Sequence, residues 1–234
     1  MSLRIAFDCD GVIADLDSAL AEITTRLFGE APKEQAAAGA TATDTPAADE
    51  GPTAEEVQVE PARFRALTPR QQREIWEAVR STENFWESLH ETEPGVVSRL
   101  ARIAKERGWE VIFITQRPPT AGDITQLQTQ RWLIAHGYDL PSVYVIKGSR
   151  GRVADGLSLD IVVDDRAENC LDVKVESRAR AILIWTGDPA SVPPNARSLG
   201  IEPVAGIGAC LDLLTAAQTG KPGLLDRIKQ RLGA

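Results

Sequence analysis

The stretch Leu3-Arg4-Ile5-Ala6-Phe7-Asp8-Cys9-Asp10-Gly11 decides the fold. Its apolar run stops abruptly at acids and a glycine, the pattern of a buried strand ending in a functional turn. Gly11 permits the turn that brings Asp8 and Asp10 toward one ligand.

Outward from this strand the pattern is regular. Leu16, Leu20, Ile23 and Leu27 recur at spacings of three and four and predict a helix over 16–28. Thr68 as N-cap with Pro69 at the first helical position opens a second helix through Val79, followed by the short aromatic segment 84–89. From Pro94 onward helix and strand alternate. Helices are predicted over 95–106, 123–135, 207–216 and 222–232, and strands at 111–114, 143–146, 161–163, 181–185 and 202–204. Gly148-Ser149-Arg150-Gly151 reads as a turn, or as a loop able to touch phosphate. Short, fully apolar strands separated by helices imply an α/β fold with a parallel, Rossmann-like sheet covered by helices on both faces. Ligands on such sheets gather beyond the carboxyl ends of the strands.

Composition narrows the function. The chain has 234 residues, 43% hydrophobic and 26% charged, enough for a sizeable core. No apolar stretch approaches the roughly 20 residues that span a bilayer, and the N-terminus lacks a signal-peptide core, so a soluble cytoplasmic protein is expected, with no membrane partner. Cys9, Cys170 and Cys210 suggest neither a disulfide framework nor a zinc site. The net charge is -8, and residues 30–60 hold eight acids against the single base Lys33. No basic stripe remains to neutralise a row of phosphates, which argues against a nucleic-acid polymer. Residues 31–60 contain nine alanines and no Leu, Ile, Met, Phe, Trp or Tyr, so they read as a mobile insertion that cannot supply a packed core.

The strand ends form a chemically coherent set: Asp8-Cys9-Asp10-Gly11, Thr115-Gln116-Arg117, Lys147-Gly148 and Asp164-Asp165. Each alone reads as a turn, cap or surface residue. On one sheet edge they provide the carboxylates, hydroxyl and ammonium that Mg²⁺ and a phosphoryl group require.

These residues, in this order, resemble the four motifs of the haloacid dehalogenase-like (HAD) hydrolase superfamily, over roughly residues 1–15 and 92–205. Phe85-Trp86 to Pro94-Gly95, Arg131-Trp132-Leu133 and the Asp164-Asp165-x-x-x-Asn169 pattern are further similar to the 5'(3')-deoxyribonucleotidases, although Gln116 stands where those proteins usually have Ser. The resemblance implies a phosphomonoester hydrolase. Asp8 is its nucleophile and Asp10 its general acid and base. Mg²⁺ is held by Asp8, the main-chain carbonyl of Asp10 and Asp164, with Asp165 either a further ligand or the holder of a metal-bound water; Thr115, Gln116 and Lys147 bind phosphate. An Asp two positions after the nucleophile separates phosphatases from the superfamily's dehalogenases. The implied layout is an HAD-like core, 1–15 and 92–234, with a small helical cap, 16–91, inserted after the first strand. Phe85 and Trp86 either stack a nucleobase or form the cap's own core; Arg65, Arg70 and Arg73 are other candidate cap contacts. The partner is a small phosphorylated metabolite, a nucleoside monophosphate first and a sugar phosphate second. A phospho-receiver domain shares the residue types, but places its Lys last, and a ligand-binding protein without turnover is the third reading.

Overall fold

The computed structural model describes residues 2–29, 64 and 67–218. The insertion 31–60, Arg65 and the helix expected at 222–232 lie outside the described residues. Six strands form one parallel sheet: β1 (Arg4–Asp8), β2 (Glu110–Thr115), β3 (Ser142–Val145), β4 (Ile161–Asp164), β5 (Arg180–Ile184) and β6 (Glu202–Val204), in the spatial order β3-β2-β1-β4-β5-β6. The chain winds outward from β1 to β3, then returns to β1's other side with β4. That reversal opens a crevice beyond the carboxyl ends of β1 and β4.

Period-two alternation divides the strands between two apolar layers. Ile5, Phe7, Val111, Phe113, Ile161 and Val163 face one layer, where α1 (Leu16–Phe28), α2 (Pro69–Ser81), α3 (Val96–Arg107), α4 (Thr125–Ala135) and α8 (Ile207–Gln218) contribute buried residues. Ala6, Ile112, Ile114, Val162 and Leu183 face the other, covered by α5 (Arg150–Gly156), α6 (Ala167–Glu176) and α7 (Pro194–Ser198). All six predicted strands and the helices α1–α4 and α8 are present within two residues of their predicted ends. Helices α5, α6 and α7 are new, and α5 replaces the turn expected at Gly148–Gly151.

Local chemistry explains the ends of these elements. Thr68 and Gln71 form a reciprocal capping box on α2, and Asp15 caps α1 by accepting from the Ser18 amide at 2.9 Å. At the amino edge of the sheet Arg4 pins β1 to its neighbours. Its amide donates to Asp160 at 2.8 Å, its Nε pairs with Glu110 at 2.7 Å, and its Nη1 donates to the Leu157 carbonyl. The segments that lead into α1 and back from α2 are laced together. Asp15 donates its amide to the His90 carbonyl, the Thr92 amide donates to Ile13, and the Thr92 hydroxyl donates to the Val12 carbonyl.

Candidate active site

Asp8 and Asp164 are the last residues of β1 and β4, so they flank the crevice. Alternation sends both to the face of Ala6 and Val162, the face that α5 covers. Arg150, the first residue of α5, meets them there. Its Nη2 pairs with Asp8 Oδ1, and its Nε lies 3.2 Å from Asp164 Oδ2. Ser149 caps the helix, its hydroxyl oxygen accepting from the Gly151 amide at 3.0 Å. Gly151 lets α5 sit close on α6, since a Cβ there would lie 2.2 Å from the Asp172 carbonyl oxygen.

One carboxylate oxygen from each of Asp8, Asp164 and Asp165 lies within 4.8 Å of the others. Asp164 is fully buried and fixed by the Arg166 amide at 2.9 Å and by Asn169 Nδ2, 3.0 Å from each of its oxygens. Gly11 makes room for Asp165. It has φ +75°, and an added Cβ would lie 2.2 Å from Asp165 Oδ2. Burial pushes the Asp8 carboxyl well above the usual carboxylate range; Arg150 pulls against this, and Asp164, Asp165 and Asp10 add to it. Half-buried Asp165 is likewise raised, by desolvation first and then by Asp164. Three carboxylates against one guanidinium leave an excess of negative charge on hard oxygen ligands. This donor set fits a divalent cation such as Mg²⁺. Although Arg150 is only 3% exposed, its Nη1 is buried with no hydrogen-bond partner. An orphaned guanidinium nitrogen in a carboxylate-lined crevice is a fit for an anionic oxygen.

Asp10 does not join this cluster. Its carboxylate turns to Arg117, which donates Nε at 3.1 Å to Oδ1 and 2.9 Å to Oδ2, and Nη2 at 2.8 Å to Oδ1. The Thr115 hydroxyl stands 3.4 Å from Oδ2. Burial alone would lower the Arg117 pKa; the Asp10 charge first, then Cys9 and Asp8, hold it above the ordinary arginine value. Cys9 is buried in the apolar layer and burial pushes its thiol up, so it is no second nucleophile.

Other expected site residues take different places. Lys147 is exposed, and the cation that reaches Asp8 is Arg150. The strand β3 ends at Val145, before Lys147, and the chain turns at Ser149 so that Arg150, opening α5, comes back to the end of the sheet. Gln116 is buried, and its Nε2 donates to the Gly148 carbonyl at 3.1 Å, tying the end of β2 to the loop before α5. Trp86 is fully buried and offers no face to a nucleobase. Its ring lies under Arg117, 4.8 Å from Cζ to centroid, and its Nε1 donates to the Pro118 carbonyl at 3.0 Å. Phe85, also buried, packs edge-on to Trp86, with centroids 5.1 Å apart. The pair is core, the second of the two readings offered by sequence. Arg70 is held by Glu74 at 2.8 Å on the same helix. Sequence reading placed Arg117 at a strand end and Arg150 in a loop able to touch phosphate, but it assigned neither to Asp10 or Asp8; Ser149, the N-cap of α5, is the local signal for the helix that begins at Arg150.

A cleft of about 470 Å³ opens beside the carboxylates, lined by Gly11, Asp15, Asp17, Thr92, Asp165 and Trp185 among others. Among the described residues no helix is long and apolar enough to cross a membrane.

No protein-family model matches this chain, and neither does any curated protein. Solved structures do resemble it. A candidate beta-phosphoglucomutase from Thermotoga maritima superposes with a TM-score of 0.54 at 18% identity, covering 92% of this chain and 99% of the other. A HAD family hydrolase from Deinococcus radiodurans R1, with bound phosphate and sodium, gives 0.52 at 13% identity over 94% and 96% of the two chains. A phosphonoacetaldehyde hydrolase-like protein from Oleispira antarctica gives 0.50 at 12% identity over 93% and 92%. The fold is therefore that of HAD-like hydrolases.

Proposed function

We propose that this chain is a Mg²⁺-dependent phosphomonoester hydrolase of the HAD type that works through an aspartyl-phosphate on Asp8. The observation that carries the reading is the orphaned Arg150 Nη1 beside the converged carboxylates of Asp8, Asp164 and Asp165, a site with cation-binding and anion-binding halves in contact. That the fold is one shared with HAD-like hydrolases supports the reading, while activity is argued from the site itself.

In this mechanism the Asp8 carboxylate attacks phosphorus and expels the alcohol, splitting one hard displacement into two easier ones. Asp10 gives a proton to the leaving oxygen and then takes one from the water that attacks the aspartyl-phosphate. Thr115 donates to a phosphoryl oxygen, and Arg150, in place of Lys147, balances the charge through Nη1. A Mg²⁺ held by Asp8, Asp164, Asp165 and the Asp10 carbonyl would supply the positive charge that lets a phosphate dianion approach these acids. Asn169 and the Arg166 amide keep Asp164 oriented throughout.

The substrate is a small phosphorylated metabolite of the cytoplasm. A nucleoside monophosphate leads, as in the 5'-nucleotidases, and a sugar phosphate fits no worse, because the buried Phe85 and Trp86 leave no stacking platform. Residues 16–91 act as the cap over a core of 1–15 and 92–234, and the cleft beside Asp165 receives the leaving group. The test is phosphate release from a panel of nucleotides and sugar phosphates, with and without EDTA. Turnover that requires a divalent cation and Asp8 supports the proposal. Activity that survives both chelation and Asp8→Asn refutes it, and stable stoichiometric labelling by acetyl phosphate without turnover would point to a receiver.

A further inference from the structure

The cleft beside the carboxylates has an aromatic wall, Trp185. Strand geometry sets it there. Leu183 is in register with Asp164 and faces the layer covered by α5, α6 and α7. Trp185, two residues on, packs against that same layer from just past the end of β5, roughly 7 Å farther along the strand. Its amide donates to the Val204 carbonyl at 2.8 Å, which keeps the backbone tied to β6. Its Nε1 donates to the Asp188 carbonyl at 3.0 Å and to Ser191 Oγ at 3.3 Å. With the ring's one polar atom spent on that loop, what Trp185 brings to the cleft is fixed apolar surface.

Charge on the other walls is of one sign. Asp15, Asp17 and Asp165 line the cleft, and among the described residues that line it there is no Arg, Lys or His. Asp165 is also where the cleft meets the carboxylate cluster, since one of its oxygens lies within 4.8 Å of Asp8 and Asp164 oxygens. The volume of about 470 Å³ falls within the roughly 300–1,000 Å³ of small-molecule sites. We propose that Trp185 is a specificity-determining residue: the leaving alcohol packs on its ring, and the acid-lined cleft selects monophosphates of uncharged, ring-sized alcohols against those whose alcohol carries a second anionic group. This rests on the phosphatase reading above. With the phosphate held at the unpartnered Arg150 Nη1, the alcohol portion extends past Asp165 into the cleft. The indole favours a leaving group with carbon surface, as the rings of a nucleoside or a sugar provide. A second phosphate or a carboxylate would instead be brought beside three acids, with no cation among the described lining residues to meet it.

Two pairs of esters test the charge selection on the wild-type protein: adenosine 5'-monophosphate with adenosine 3',5'-bisphosphate, and glucose 6-phosphate with 6-phosphogluconate. The second member of each pair adds an anionic group. In the pair that is turned over faster, kcat/KM should favour the first member by about 30-fold at low salt, and the preference should shrink in high salt. Asp17→Lys should narrow it by about 10-fold. Trp185→Ala should lower the ratio of kcat/KM for the preferred ester to that for methyl phosphate by about 30-fold, mainly through KM, and Trp185→Phe should restore most of it. Binding without turnover has its own signature. Trp76, Trp86, Trp109 and Trp132 are buried, whereas Trp185 is half-buried. In the Asp8→Asn protein with Mg²⁺, the preferred ester should therefore shield tryptophan emission from acrylamide, and adding Trp185→Phe should abolish the shielding. The paired esters and the shielding measurement keep Trp185 in place, so they test the proposal even if Trp185→Ala does not fold. Equal losses on methyl phosphate, paired esters turned over alike, or emission left unshielded would each overturn the assignment while leaving the phosphatase reading intact. A wild-type protein that releases phosphate from none of these esters with Mg²⁺ would instead remove the phosphatase reading and this one with it.

Discussion

Within three residues, the turn after β1 builds two buried carboxylate–arginine contacts of opposite character. Around Asp10 each guanidinium nitrogen of Arg117 has an acceptor: Nε and Nη2 reach the carboxylate, Thr129 takes Nη1, and Trp86 lies against the guanidinium. Around Asp8 the account does not balance, with three acids facing one guanidinium and Arg150 Nη1 unpartnered. The same two residue types thus give a closed contact that orients and an open one that awaits ligands. Burial cannot tell them apart, since all four side chains are less than a tenth exposed; only the partners of each guanidinium nitrogen can.

Replacing Asp8, the nucleophile of the proposed mechanism, should have the largest effect. Asp8→Asn is expected to lower kcat by about 10⁴-fold or more, and a smaller loss in a phosphate-release assay would break the distinction between the two contacts. Arg150→Met should cost about 10²- to 10³-fold in kcat/KM with a raised KM for phosphate esters, whereas Lys147→Ala should cost no more than about 3-fold. Reversed magnitudes in steady-state kinetics would return the phosphate to Lys147. The surplus charge gives a thermal signature: saturating Mg²⁺ should raise Tm by about 5 °C in the wild type. Asp165→Asn should raise the metal-free Tm by relieving like-charge repulsion and shrink the Mg²⁺ increment, both read by calorimetry with and without EDTA. The smallest change should come from deleting 31–60, where no motif lies. A drop in kcat beyond about 3-fold would extend the site into that segment.

Legibility of the sequence followed the length scale of the signal. Strands were plain because each is a short apolar run with a polar stop, and β1, β2 and β4 end at residues that reach the site. The acids at those ends were legible for the same reason. Helix α5 was hidden, since seven residues containing two glycines show too little periodicity to compete with a turn. With α5 hidden, the sequence reading assigned the phosphate's cation to Lys147, whereas the residue paired with Asp8 and Asp164 is Arg150. The contact between Arg117 and Asp10 spans a separation that no local pattern encodes. Phe85 and Trp86 were visible as aromatics, but whether aromatics stack a ligand or fill a core depends on what packs against them, here Arg117 over Trp86 and Trp86 against Phe85.

The anchoring of Arg4 to Asp160, Glu110 and Leu157 has a consequence at the opposite end of its strand. Because β1 is greasy on both sides, sliding it by one position would cost little in dehydration, yet it would swing Cys9 into the place of Asp8. Arg4 therefore serves as the zero mark of a ruler, and which side chain stands in the carboxylate cluster is counted off from it four steps away.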